Sequence, residues 1–367
     1  MLTDLEKNRY NRHLILDKIG VEGQEKLKAS KVLVIGAGGL GCPVLLYLTA
    51  AGVGNIGIID FDMVDETNLQ RQVLFTIEDI GINKALAAKK RLIALNNYVN
   101  FNTYPEKLTP KNALTIFSAY DIIVDGTDNF STRYLVNDAC VITNKPLVYG
   151  AIYKFEGQVT VFNYKNGPSY RCLFPTPPQQ GSVPNCSEVG VLGVLPGLIG
   201  TQQANEVLKI ILEIGSVLSG KMQIYNALEA SFYVLKIQRV EQEFEKVLAK
   251  ATAFEQFDYD FFCGIEKQTT KQKEITANEL KILLTNEDIQ IIDVRATWEQ
   301  PKIEILNAIN IPLQDIPTQL EKINRSKKTV VFCQHGVRSL TCIAFLEAHG
   351  FDNLINLKDG IVTWDNK

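Results

Sequence analysis

The sequence predicts an α/β protein: a doubly wound, mixed sheet followed by a second, smaller α/β domain. Three observations carry this reading. The β-rich run Lys31-Val32-Leu33-Val34-Ile35 is followed by a glycine loop, a helical stretch at 42–51 and the run Asn55-Ile56-Gly57-Ile58-Ile59-Asp60, together a βαβ unit. The alternation continues with strands at 121–125 and 147–150 and helical segments at 83–96 and 129–143, which requires a parallel sheet. A fresh α/β pattern begins near 274, and 367 residues at 46% hydrophobic content exceed what one core usually holds.

Each further element follows in order. After Gly157 the texture changes to the alternating run Gln158-Val159-Thr160-Val161-Phe162, an antiparallel strand on the growing sheet. A Gly/Pro-rich crossover from Gly167 to Gly200 is too long for an ordinary connection, and such lengths are commonly functional. A helix at 201–214 and a strand at 221–226 close the first domain, assigned to 1–240. Residues 241–272 are charged, helical at first and without sheet pattern, and are expected to be a linker. The second domain, 273–367, reads as a helix at 276–284, a strand at 289–295, a strand at 309–311, a helix at 315–323, a strand at 329–333, a helix from Ser339 and a strand at 354–357.

Bulk properties exclude several classes. A net charge of −3 gives no general attraction to nucleic acid or anionic lipid, so any site for a polyanion must be built locally. No apolar run is long enough to span a membrane, and the N-terminal stretch is charged, so a soluble cytoplasmic protein is expected. The seven cysteines are an odd number scattered along a long chain, which points to reduced thiols, some with chemical roles.

Gly36-Ala37-Gly38-Gly39-Leu40-Gly41 directly follows a strand and opens a helix. Small residues there let backbone N–H groups approach a phosphate at the positive helix end. The pattern also satisfies a dinucleotide fingerprint, with Asp60 at the end of the next strand to hold ribose hydroxyls. An NAD-dependent oxidoreductase is therefore one reading of the loop, and tight helix–sheet packing is the bland one.

The residues that follow separate these readings. Asp60-Phe61-Asp62-Met63-Val64-Asp65 leads to Asn68-Leu69-Gln70-Arg71-Gln72, then to Gly81 and Lys84, and later to Asp125-Gly126-Thr127-Asp128-Asn129. With Arg9-Tyr10-Asn11-Arg12-His13-Leu14 before and Gly150 to Val161 after, the chain over residues 5–240 resembles the MoeB/ThiF family of ubiquitin-activating-type adenylyltransferases. The resemblance implies a Rossmann-like ATP-binding domain that adenylylates the C-terminal Gly of a ubiquitin-like sulfur-carrier protein ending in Gly-Gly. It implies that Gly39, Asp60, Asn68, Arg71, Lys84, Asp128 and Asn129 are ATP-binding positions; Gly36, Gly38 and Gly41 of the loop, with Asp62 and Gln72, complete the candidate nucleotide site, and Mg²⁺ is expected to accompany ATP. Arg12 matches an arginine that reaches the phosphates from a neighbouring subunit, which implies a homodimer.

Chemistry explains the residue types. A terminal carboxylate with a pKa of roughly 3.5 is ionised at neutral pH and needs no general base. The obstacle is electrostatic, since an anion must approach a triphosphate, so fixed cations and Mg²⁺ should supply most of the catalysis. Arg12, Arg71 and Lys84 are the candidate cations and Asp128 the candidate metal holder. Taken singly, Arg and Lys are usually solvated face residues, and Asp128 is equally a candidate cap for the helix that follows.

The crossover contains Pro184-Asn185-Cys186-Ser187-Glu188, where the resembling proteins carry a cysteine proposed to take the acyl group or to resolve a sulfur intermediate. No histidine neighbour advertises thiolate activation, so an incidental cysteine is the alternative. The family commonly binds structural zinc through two Cys-x-x-Cys pairs. Here the pairs read Ser169-Tyr170-Arg171-Cys172 and Asp260-Phe261-Phe262-Cys263, each without its leading thiolate, so structural zinc is expected to be absent.

In the second domain a strand ends at Cys333, and Cys333-Gln334-His335-Gly336-Val337-Arg338 forms a loop opening a helix. Loop N–H groups, the helix N-terminus and Arg338 would favour a thiolate or persulfide anion. Together with Ile292-Asp293-Val294-Arg295-Ala296-Thr297-Trp298-Glu299, the 307–313 stretch and Gly360, this domain resembles a rhodanese domain, which implies sulfurtransferase activity at Cys333. The related phosphatases use a loop one residue longer. The combined expectation is adenylylation followed by sulfur transfer to give a thiocarboxylate, for molybdopterin, thiamine or tRNA thiolation. The sulfur would come from a cysteine desulfurase or thiosulfate. A non-catalytic scaffold for a ubiquitin-like protein is the remaining alternative.

Overall fold

The computed structural model describes residues 1–178, 190–263, 273–301 and 307–364. It divides into two compact units, Met1–Ile265 and Glu266–Lys367.

The first unit begins with helices α1 (Asp4–Arg9), α2 (Asn11–Leu14) and α3 (Gly20–Ala29). The βαβ pattern then forms as expected: β1 (Lys31–Ile35), α4 (Gly41–Ala51) and β2 (Asn55–Ile59), followed by α5 (Lys84–Leu95) and β3 (Asn100–Tyr104). Next come α6 (Pro110–Ser118), β4 (Ile122–Asp125), α7 (Phe130–Ile142), β5 (Leu147–Tyr153), β6 (Glu156–Phe162) and α8 (Tyr170–Leu173). Helix α9 (Leu195–Leu212), β7 (Lys221–Asn226) and β8 (Ser231–Lys236) complete the sheet. Its order is β3-β2-β1-β4-β5-β6-β7-β8, parallel as far as β5 and antiparallel beyond it.

Both faces of the sheet's central parallel strands are covered, which is why those strands read as continuous apolar runs. Val32, Val34, Ile56, Ile58 and Val124 face one way and pack with Leu45 and Leu48 of α4, Ala88 and Leu92 of α5, and Val207 and Ile211 of α9. Leu33, Ile35, Ile59 and Ile123 face the other way, against Ala113 and Phe117 of α6 and Leu135 and Ala139 of α7. The alternation within one strand is the two-residue period expressed as two cores.

Some expected boundaries shift for local reasons. Helix α9 starts at Leu195 rather than at 201, with Pro196 in its first turn, where a missing N–H costs nothing. The expected linker at 241–272 is ordered over its first part. Helix α10 (Glu241–Leu248) and helix α11 (Tyr259–Phe262) belong to the first unit. Phe244 and Val247 pack on Val141, and Phe254 and Tyr259 join the α6–α7 core. The charged composition hid this because only one stripe of α10 turns inward.

The second unit holds β9 (Lys273–Ile275), α12 (Ala277–Asn286), β10 (Gln290–Asp293), β11 (Ile309–Asn310), β12 (Thr329–Phe332), α13 (Val337–Ala348) and β13 (Leu354–Leu357). Its sheet is parallel in the order β11-β10-β12-β13-β9. The helix expected at 315–323 is two 3₁₀ turns, Leu313–Thr318 and Leu320–Lys322, because Pro317 lacks the N–H that an α-helix would use. Helix α13 begins two residues before the expected Ser339, since Gly336 adopts φ +86° and turns the chain into it.

Candidate active site

The glycine loop joins β1 to α4 and is held from two sides. An ideal Cβ on Gly41 would lie 1.9 Å from the Gly36 carbonyl oxygen, so only glycine admits this turn. Gly36 itself takes φ +87° and abuts the Gly126 carbonyl, which brings the β1 and β4 loops together at the C-terminal edge of the sheet. That edge, at the point where strand order reverses, is where doubly wound sheets bind ligands.

Asp60 ends β2 and is 9% exposed. Its Oδ2 accepts the Ala37 N–H at 2.8 Å and its Oδ1 accepts the Asp62 N–H at 2.9 Å, so the carboxylate pins the glycine loop. Burial raises its pKa, outweighing those two N–H groups and the nearby Lys84 charge. Asn83 donates to the Asp60 and Asp62 carbonyl oxygens, and its Oδ1 caps α5 by accepting from Ala85 and Leu86. The cap places Lys84 at the first position of α5, where its ammonium lies 3.1 Å from Asp62 Oδ2 on a side chain only 8% exposed.

Arg71 stands on the other side of the loop. Its Cγ is 3.6 Å from where a Gly39 Cβ would be, and its Nη1 donates to the Thr67 carbonyl at 3.2 Å. The Asn68 carbonyl accepts the N–H groups of Arg71 and Gln72, and buried Gln72 places its amide 3.8 Å from the corresponding position on Gly38. The charges of Lys84, Asp60 and Arg71 all reach the buried thiol of Cys42, which burial pushes up to about 12. Within one chain, then, Asp60, Asp62, Asn68, Arg71, Gln72 and Lys84 gather around the glycines.

The β4 loop contributes more than its sequence suggested. Asn129 rather than Asp128 caps α7, its Oδ1 accepting from Thr132 at 2.9 Å, which leaves Asp128 exposed beside the loop. Beneath it, Asp125 is 1% exposed. Its Oδ1 accepts from both the N–H and the hydroxyl of Thr127, while Oδ2 has no hydrogen-bond partner. Burial raises the Asp125 pKa against the pull of Arg133. Gln203 of α9, wholly buried, donates to the Asp125 carbonyl at 2.7 Å and ties α9 to this loop. Sequence reasoning missed Asn83 and Gln203 and gave Asp125, quoted within its motif, no role of its own, since a polar residue in an apolar run does not announce where its hydrogen bonds go.

Arg12 is exposed on α2 and stands apart from that group. Its neighbour His13 contacts Gln24, which donates to the Ala51 carbonyl at the C-terminal end of α4, whereas the glycine loop is at the N-terminal end. A helix of this length separates the two by roughly 16 Å. Cys186 lies outside the described residues.

The expected remnant pairs do not make a thiolate cage. Cys172 Sγ accepts the N–H groups of Ser169 and Val240, each at 3.3 Å. Cys263 packs in a different core cluster, where burial pushes its thiol up to about 11. Asp260 faces Lys107 at 3.9 Å. Between the two cysteines' elements runs a polar clasp: Arg171 donates twice to Asp138 at 2.7 Å, and the Tyr259 hydroxyl donates to the same carboxylate at 2.9 Å. No group of three or more potential metal ligands occurs among the described residues.

In the second unit Cys333 sits at the end of β12, 1% exposed. The Gly336 N–H donates to its Sγ at 3.1 Å, and the Ser339 hydroxyl lies 3.5 Å away. Arg338, expected to favour the anion, is close enough for its charge to interact with Cys333, while its side chain is paired elsewhere. It makes a bidentate pair with Glu299, both bonds at 2.7 Å, and this hydrogen bonding raises its pKa. Burial works to raise the Glu299 pKa, but Arg338 and the Ala296 N–H win and hold it below the ordinary value. Arg295, 1% exposed, is likewise paired with Asp293 and donates to Gln334 and to the Pro301 carbonyl, bracing the loop from behind. These two ion pairs and Ser339 were not singled out by sequence; Glu299 three residues after Ala296 was the available signal, since its carboxylate accepts the Ala296 N–H and closes a turn.

Comparison with known proteins gives the family. The ThiF family matches residues 10–246 and the rhodanese-like domain matches residues 276–367. The chain is 43% identical over 371 aligned positions to a probable adenylyltransferase/sulfurtransferase MoeZ of Mycobacterium tuberculosis, covering 98% of this chain and 93% of that protein. It is 53% identical over 268 positions to a sulfur carrier protein adenylyltransferase of Thermus thermophilus, covering 72% and 98%. Among solved structures, E. coli MccB with ATP superimposes with a TM-score of 0.55 at 25% identity, covering 65% of this chain and 73% of that one. No helix among the described residues is long and apolar enough to cross a membrane. The chain belongs to the ThiF family, as an adenylyltransferase that carries a rhodanese-like sulfurtransferase domain.

Proposed function

We propose that this cytoplasmic enzyme adenylylates the C-terminal glycine of a ubiquitin-like sulfur carrier ending in Gly-Gly and then converts it to a thiocarboxylate. The observation that carries the reading is the convergence of Arg71, Lys84 and the Asp60–Asp62 turn on the glycine loop. The carrier's ionised carboxylate attacks the α-phosphorus of ATP. The new acyl–O–P bond forms as the bond to the β-phosphate oxygen breaks, and pyrophosphate leaves. Arg71 and Lys84 offset the charge that builds on the phosphates. Lys84 is held by Asp62 until the nucleotide arrives, which keeps a nearly buried ammonium paired. Mg²⁺ accompanying ATP would be held by Asp128, the exposed carboxylate that α7 does not use as its cap, and would neutralise phosphate charge. Arg12 serves from a second copy of the chain, because within its own chain it is at the far end of α4. A structural zinc has no part in this reading.

Sulfur transfer uses Cys333, loaded as a persulfide by a cysteine desulfurase or by thiosulfate. The terminal sulfur attacks the acyl carbon, AMP leaves, and an acyl disulfide to Cys333 results. The Cys186 thiolate then attacks the Cys333 sulfur, frees the thiocarboxylate and leaves a Cys186–Cys333 disulfide for a cellular dithiol to reduce. Alternatively, Cys186 takes the acyl group first as a thioester. Covalent fusion raises the local concentration of the sulfur donor to about the millimolar range. The product serves molybdopterin, thiamine or tRNA thiolation.

The test is direct. Incubation with ATP and a carrier should give carrier-dependent pyrophosphate exchange, and a sulfane donor should then raise the carrier mass by about 16 Da as OH becomes SH. An NAD-dependent oxidoreductase would instead be stabilised by NAD and not by ATP in a melting experiment, and a scaffold would show no exchange.

A further inference from the structure

The Ser339 hydroxyl beneath Cys333 has three acceptors within reach: Cys333 Sγ at 3.5 Å, the Gly336 carbonyl oxygen at 2.9 Å and Asn356 Oδ1 at 2.7 Å. It has one proton, so it donates to one of them at a time. Asn356 is 1% exposed, and its Nδ2 donates to Glu274 Oε1 at 2.9 Å. An ionised carboxylate only accepts hydrogen bonds, so Glu274 obliges the amide nitrogen of Asn356 to face it and the amide oxygen to face Ser339. The shortest contact of the hydroxyl then draws its proton away from the sulfur.

We propose that Glu274 on β9 is a positioning residue for Cys333: acting through Asn356, it directs the Ser339 proton away from the sulfur and so withholds a hydrogen bond from the thiolate. The inference rests on Cys333 being the sulfur-carrying thiol. The Gly336 N–H, at 3.1 Å, remains the donor to the anion. The relay damps the reactivity of an empty Cys333 from a position at the edge of the sheet, where β9 is the last strand.

Other titratable groups belong to the loop and to the elements around it, and the charges of Arg338 and Cys342 interact with Cys333. Arg338 and Arg295 stand beside the loop, tied to Glu299 and Asp293. His335 lies within the loop, Lys358 and Asp359 follow β13, and Cys342 of α13 is pushed up to about 12 by burial. Their charges act through space whatever the Ser339 proton does, as does the charge of Glu274 itself. A double-mutant comparison separates the two routes.

The experiment uses the full chain and measures iodoacetamide alkylation of Cys333 against pH, read by mass spectrometry on the peptide that contains it. Glu274→Gln can accept or donate, so it frees Asn356 to reverse its amide. The midpoint should fall by about half a unit to one unit, with alkylation at pH 7 rising about three- to tenfold. In a Ser339→Ala background the same substitution should change the midpoint by less than about a fifth of a unit. An unchanged midpoint in the single variant, or an equal shift in both backgrounds, would overturn the relay. If Glu274→Gln fails to fold by tryptophan fluorescence, Glu274→Ala at this exposed position gives the same comparison. Sulfur transfer that survives Cys333→Ala would instead remove the role of Cys333 and leave the alkylation result standing.

Discussion

The Lys84 ammonium lies 3.1 Å from the Asp62 carboxylate, with the lysine almost buried and the aspartate half exposed. The asymmetry gives a prediction. Lys84→Ala removes a cation from the glycine loop, so carrier-dependent pyrophosphate exchange should fall by at least about a hundredfold. Asp62 stays hydrated when its partner is lost, so the melting temperature should move by only a few degrees, roughly. Retained exchange would contradict the role given to Lys84.

Asp128 and its neighbour Asn129 should separate chemistry from folding. Asn129 caps α7, so Asn129→Ala should lower stability by about 1 kcal/mol. Asp128 is exposed and is not the cap, so Asp128→Asn should leave stability within about 0.5 kcal/mol and end pyrophosphate exchange. Denaturation midpoints and exchange rates on the same two variants decide it.

Gly41→Ala tests the loop itself. Its new methyl would meet the Gly36 carbonyl oxygen at 1.9 Å, a contact that backbone cannot yield without moving α4. The variant should lose the thermal stabilisation that ATP gives the parent protein, and full retention of that shift would show that the loop has more freedom than its geometry implies.

Cys333→Ala should leave pyrophosphate exchange unchanged while thiocarboxylate formation stops, because the nucleotide site belongs to the first unit and Cys333 to the second. Mass spectrometry of the carrier after a single turnover reads the second, and radiolabel exchange reads the first.

The Glu299–Arg338 pair sets an acid limit. Glu299 has a folded pKa below its unfolded value, so the stability it contributes is complete above the ordinary glutamate value of about 4.3 and is lost as pH falls through the lowered folded value. Both tryptophans of the chain, Trp298 and Trp364, belong to the second unit, so tryptophan fluorescence follows that unit within the whole protein. Its denaturation midpoint should be level between about pH 6 and 8 with respect to this pair and decline below about pH 4, and Glu299→Gln should flatten that acid decline.

Much of the fold was legible in the chain because its signals are local. Strands β1, β2 and β4 are apolar runs bounded by glycine or aspartate, and the glycine loop sits where a strand meets a helix. Strand β3, of sequence Asn-Phe-Asn-Thr-Tyr, was not legible, since it is an edge strand with half its residues in water. Helices α10 and α11 were read as linker because their stability comes from Phe244, Val247 and Tyr259 meeting partners far away in sequence.

The motifs from Arg9 to Val161 and from Ile292 to Arg338 were enough, taken in order along the chain, to carry the family resemblance and with it the expected chemistry, because those motifs are local stretches of residue types. Tertiary structure alone decided how each charge is spent: Asp60 on the Ala37 N–H, Lys84 on Asp62, Arg338 on Glu299, and Glu274 on the amide that orients Ser339. A hydrogen bond or ion pair depends on distances between side chains that lie far apart in sequence, and only packing brings Glu274 within 2.9 Å of Asn356.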